Sequence, residues 1–141
     1  MRQTRKILKW LFGLLFALAG ANHFFNTGFY VAIMPPYLPW HSALVYVSGA
    51  AEIILGVALL FRRVERLAAW GMIALMVAVT PVHIQMAIHP ELYPDYTQAA
   101  LWGRLLLQAL LIGLVFWFTR APANETRTRL QSLTCQTLKV Q

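Results

Sequence analysis

Four apolar stretches, at residues 7–25, 42–61, 67–89 and 99–119, alternate along the chain with short segments rich in charge, proline or both. Each stretch is close to the ~20 residues that carry a helix across ~30 Å of hydrocarbon at 1.5 Å per residue. The pattern predicts an all-α fold, a four-transmembrane-helix bundle forming one membrane domain over 1–120, with a tail at 121–141. Gly13, Ala17 and Ala21 recur every four residues on the first helix, a small-residue seam that lets a neighbouring backbone approach; Gly49 and Gly56 offer the same on the second. Pro81 interrupts the third helix. It removes a backbone donor, predicts a bend, and leaves the Val77 carbonyl to Thr80 or a neighbour.

The first connection, residues 26–41, holds Pro35, Pro36 and Pro39 but no Lys or Arg. It cannot be regular helix throughout, yet Phe29, Tyr30, Ile33, Met34, Tyr37 and Trp40 make it unusually apolar for a loop. We expect a Pro-rich extracytoplasmic lid between the first two helices, packed by these aromatics over the outer mouth of the bundle. A competing reading of the chain's start is a cleaved signal peptide, since a basic beginning and an apolar run precede Ala19-Gly20-Ala21.

Composition narrows the class. Hydrophobic residues make up 59% of the chain and charged ones 12%, about half the charged share of a soluble domain. A net charge of +7 would point to nucleic acid in a soluble protein, but the placement of the basic residues accounts for it. Four of the twelve lie in the first nine residues, three at 62–66 and four from Arg120 onward, with none in the other two connections. By the positive-inside rule both termini are cytoplasmic, in a multi-pass protein of the cell inner (plasma) membrane. Trp10, Trp70 and Trp117 fall near the inner boundary, Trp40 and Trp102 near the outer, as interfacial belts require. The expected partner is therefore the lipid bilayer, with no nucleic acid; a membrane-protein partner and a second copy of the chain both stay open. Cys135 is the only cysteine, which excludes an intrachain disulfide or a CxxC relay. In the tail, Asn124-Glu125-Thr126 matches a glycosylation acceptor that a cytoplasmic location would leave unused; a frayed tail is expected there, the alternative being a weak apolar stripe of Leu130, Leu133, Thr137 and Val140 on the lipid surface.

The chemistry sits in a few polar residues inside the apolar runs. Glu52 lies about ten residues into its helix, roughly 15 Å deep, where a carboxylate is costly unless answered. Arg104, the one basic residue within a span, is its natural partner, and Gln108 lies one turn further on the same face. Ser48, one turn before Glu52, widens the polar stripe. Asn22, His23 and His83 share the outer half with them. The candidate ligand-binding residues are thus Glu52, Arg104, His23, His83, Gln108, Ser48 and Asn22; no catalytic residue is assigned and no metal is expected. Three readings stay open on residue type: a structural pin fixing helix register, a half-buried site for a quinone-like headgroup, and a bis-His haem between His23 and His83. A quinone is the candidate cofactor. A faint echo between the halves, each with a His late in its first helix and one charge in its second, predicts two hairpins that set those charges face to face.

The sequences GANHF at 20–24, FYVAIMPPYLPW at 29–40, SGAAEIILG at 48–56 and RLAAWG at 66–71, with Arg104 and Gln108 four apart, resemble the DoxX-like family of small membrane proteins. The resemblance covers Trp10 to Arg120 and implies a four-helix membrane bundle. It also implies a range of functions, from a subunit of a thiosulfate:quinone oxidoreductase to assembly chaperones of nicotinic receptors. An Asn is common in that family where this chain has His83. The resulting expectation is an accessory or ligand-binding component, for quinone or lipid, of a redox-related membrane system. The alternatives are a membrane-protein assembly factor and a quinone-reactive oxidoreductase subunit; an autonomous enzyme is disfavoured by the lack of nucleotide loops and haem motifs.

Overall fold

A computed structural model describes residues 2–120, and its regular structure is entirely helical: α1 (Arg2–Phe25), α2 (Thr27–Ala32), α3 (His41–Ala58), α4 (Glu65–Ile88) and α5 (Gln98–Thr119), with a 3₁₀ turn at Pro90–Leu92. The helices α1, α3, α4 and α5 are each long and apolar enough to cross a membrane. Between 17% and 22% of each apolar window is buried inside the protein, and the rest is partly or fully exposed. The tail features, Cys135 among them, lie outside the described residues.

α1 and α3 run antiparallel in the closest contact of the fold, and glycines explain why. A Cβ on Gly20 would lie 2.6 Å from the Gly49 carbonyl oxygen, and one on Gly56 would lie 2.6 Å from that of Gly13. The two touching pairs are seven residues apart on each helix, two turns along one face. The closest approach is therefore made by Gly13, Ala17 and Gly20 of α1, the last a glycine one position before the expected Ala21. The second intimate pair is α4 with α5, and α3 meets α4 where Leu55 fills the space above Gly71.

At one end the four long helices close around a common core of Phe12, Leu59, Ala69, Met72, Val115 and Phe118. Polar groups rim this end. Lys9 pairs with Glu65 at the start of α4, and the Arg5 guanidinium donates to the Phe118 carbonyl at 2.6 Å, capping one of the last orphan acceptors of α5. The start of α1 and the end of α5 are thereby held together.

The opposite end is tied by the segment after α1. A short helix, α2, occupies the first half of the connection, and Pro35, Pro36 and Pro39 prevent its continuing. Ile33, its C-cap, packs with Met86, Tyr93 and Leu101, so α2 reaches across from the α1–α3 pair to the α4–α5 pair. The Tyr93 hydroxyl donates to the Ile33 carbonyl at 3.4 Å. His41 Nε2 donates to the Pro35 carbonyl at 3.0 Å, and the turn into α3 places Trp40 at φ 54°, a left-handed conformation that costs a bulky residue about 1 kcal/mol or more.

Pro81 lies inside α4, and the polar compensation gathers one residue away from the carbonyl it frees. Thr80 Oγ1 donates to Met76, not Val77, because a threonine hydroxyl reaches back four residues to its own turn.

Candidate functional site

The expected Glu52–Arg104 pair does not form. Glu52 is turned toward α1, with its Cβ 2.7 Å from where a Cβ on Gly20 would stand. The nearest ionisable group is His23, whose Nδ1 is 3.7 Å from Oε2. The reason is in the register: Gly49, Glu52 and Gly56 share one face of α3, so the seam that draws α3 onto α1 carries the carboxylate into the same interface. Arg104 belongs to the other helix pair, and the two charges do not face each other as the echo between halves predicted.

Around Glu52 the polar groups are few. His23 Nδ1 lies 3.0 Å from the Ala19 carbonyl, which can only accept, so Nδ1 carries the proton and Glu52 is a second, more distant acceptor for it. The imidazole stacks on the Tyr30 ring at 3.8 Å. Asn22 donates to the Tyr30 hydroxyl at 3.0 Å and accepts from Asn26, so it helps hold α2. Ser48 does not widen a polar stripe; its hydroxyl bonds back to the Val45 carbonyl at 3.0 Å within α3.

The other set lies between α4 and α5. Buried Gln108 is its centre, donating through Nε2 to the Met76 carbonyl at 2.6 Å and to Thr80 Oγ1 at 2.7 Å. Because the Met76 carbonyl only accepts, the amide orientation is determined, and Oε1 faces His83. His83 Nδ1 must therefore donate to Oε1, which leaves Nε2 as the acceptor of the neutral ring. No fully buried side-chain nitrogen or oxygen among the described residues lacks a partner, so this unbonded Nε2 is accessible. His83, Arg104, Leu107, Gln108 and Leu111 line an open cleft of about 200 Å³.

Arg104 meets no carboxylate within ion-pair distance among the described residues. Its guanidinium lies over the Tyr96 ring, 4.9 Å from the centroid, and Nη1 is 4.0 Å from the Met86 sulfur, a weak acceptor. Most of its five donors have no strong acceptor among the described residues. Leu107 on the cleft's outer wall is 56% exposed, so the cleft opens sideways off the helix pair.

The seven candidate residues thus divide: Asn22 and His23 against α2, Glu52 in the α1–α3 interface beside His23, Ser48 within its own helix, and His83, Arg104 and Gln108 around the cleft. His23 and His83 turn their Nδ1 atoms to different partners on different helix pairs. Among the described residues no group of three His, Cys, Asp or Glu side chains could hold a metal ion. Sequence reasoning assigns Tyr30 only a lid-packing role and overlooks Tyr96; the two rings stack on His23 and Arg104. Both precede or follow helix breaks, so helical spacing could not have placed them.

Outside the spans, the Glu91 carboxyl is held below its usual range, first by its own backbone N–H and then by the His89 ring at 2.9 Å. Burial, with a smaller contribution from Tyr37, pushes the Tyr93 phenol up.

No curated protein and no solved structure matches the chain. A family model does match, and its description states no function and does not name the DoxX-like proteins. Since that match runs over residues 12–119, from the middle of α1 to the end of α5 with both polar sets included, the chain belongs to the family described as Domain of unknown function (DUF8561).

Proposed function

We propose that this protein is a multi-pass protein of the inner membrane that admits the polar head of a quinone or lipid to the cleft between α4 and α5, as an accessory component of a redox-related membrane system. Both termini lie in the cytoplasm in this reading, and the segment containing α2 and the three prolines is an extracytoplasmic lid. The distribution of Lys and Arg supports that orientation. The redox setting rests on the DoxX-like resemblance alone.

The observation that carries the ligand is the unused bonding capacity at the cleft. Arg104 and the Nε2 of His83 line an opening walled by leucines, where an apolar tail can lie along Leu107 and Leu111 while its head reaches the polar floor. Mass spectrometry of protein purified in mild detergent should find one quinone or lipid retained by the wild type and depleted in Arg104→Met. Equal retention in both would remove the reading.

One feature favours an assembly factor as a second reading: Gly103 and Gly113 on α5 face open space, available for close approach by a partner helix. In-membrane photocrosslinking from Leu106 or Leu110 on that side should then capture a helical membrane protein. Labelling of lipid alone would count against it.

A further inference from the structure

The chemistry left open at the cleft specifies more than an amphiphile. Gln108 is saturated, since both its amide protons and its oxygen are engaged by Met76, Thr80 and His83. Thr80 is likewise engaged, accepting from Gln108 and donating to Met76. Two groups remain. One is a guanidinium whose neighbours among the described residues are a ring face and a thioether, neither of which neutralises it. The other is a single imidazole lone pair.

We propose that the cleft selects an oxyanion, a phosphate or carboxylate, borne on an apolar chain, in preference to a neutral headgroup. This rests on the reading that the cleft takes a head from the bilayer. The charge argument decides the class: Glu52, the carboxylate expected to neutralise Arg104, is held against α1 by the glycine seam, so the fold keeps the cation and withholds its anion. An oxyanion accepts two parallel bonds from the guanidinium fork, which a quinone carbonyl cannot match in charge. Nε2 of His83 adds an acceptor for a donor beside the anion where the head carries one, such as the hydroxyl of a glycerol head or of a protonated phosphate monoester. The position of Arg104, in the second turn of α5 past Gln98, is a shallow depth that a phosphate at the headgroup boundary can reach.

The full chain, purified in a neutral detergent, is titrated with phosphatidylglycerol, with a long-chain fatty acid, with phosphatidylcholine and with decylubiquinone, and binding is read by native mass spectrometry. We expect the anionic amphiphiles to bind at least tenfold more tightly than decylubiquinone. Phosphatidylglycerol above the fatty acid would identify a bilayer lipid with its hydroxyl on His83 as the source, and the reverse order a diffusing carboxylate. Arg104→Gln should abolish the preference and Arg104→Lys keep part of it. Leu107→Trp, on an exposed position, should weaken every ligand by filling the cleft while leaving the fold intact, so the test survives if Arg104→Gln does not fold. Binding of decylubiquinone equal to or tighter than that of the anions, blocked by Leu107→Trp, overturns the proposal and leaves the quinone reading standing. Binding of none of the four, or binding indifferent to Leu107→Trp, overturns both.

Discussion

Nδ1 of His23 donates its one proton to the Ala19 carbonyl at 3.0 Å with Glu52 nearby at 3.7 Å, while Arg104 has five donors and no carboxylate at ion-pair distance among the described residues. That asymmetry yields a test of which side chains are coupled. In a double-mutant cycle on detergent-solubilised protein, Glu52→Gln with Arg104→Met should be additive within about 0.5 kcal/mol, as expected for groups without shared partners. Glu52→Gln with His23→Phe should show coupling above that. Gln108 gives a second prediction. Replacing it with Leu, of similar size, strands His83 and Thr80 and should destabilise the protein by about 1–3 kcal/mol in denaturant unfolding, while Thr80→Val, removing one spoke of the same network, costs less. Equal losses would show that Gln108 is not the hub.

Between helices, the glycine contacts set the distance and the prolines set the ends. A side chain at Gly20 would drive into the Gly49 carbonyl, which is backbone and cannot rotate away. Gly20→Val should therefore cost about 1–3 kcal/mol and lower the midpoint of thermal unfolding, whereas Gly103→Val, facing open space, should be near neutral. The tie between α2 and the loop before α5 makes a pH prediction through Tyr93. Its raised phenol favours the protonated, folded form, so this contribution is complete below the ordinary value of ~10 and is lost as pH climbs through that of the folded protein. Stability should fall more steeply above pH ~10 in the wild type than in Tyr93→Phe, which lacks the ionisable group and at neutral pH loses at most about 1 kcal/mol with its long bond to Ile33.

For the molecule as a whole, orientation in the bilayer is the property that governs everything the cleft could bind. With both termini cytoplasmic, a cysteine placed at Arg63 should be labelled by an impermeant maleimide only after the inner face is opened, and one at Asp95 should be labelled from outside. The opposite pattern would invert the topology and put the cleft in the cytoplasmic leaflet's reach.

Four spans were legible because hydropathy over 20 residues is a sum that no neighbour can alter, and their ends fell within five residues of those read from charge and proline. Small residues announced that α1 and α3 approach some backbone, and Arg104 with Gln108 announced a polar face on α5. Which faces meet is a different kind of fact. Glu52 and Arg104 looked complementary as charges, but Gly49 and Gly56 flank Glu52 on its own face, and close backbone packing against Gly13 and Gly20 settled its neighbour. Helical periodicity assigns a residue to a side of its helix; only the assembled bundle decides what lies opposite, because that choice is made by the packing of all four helices at once.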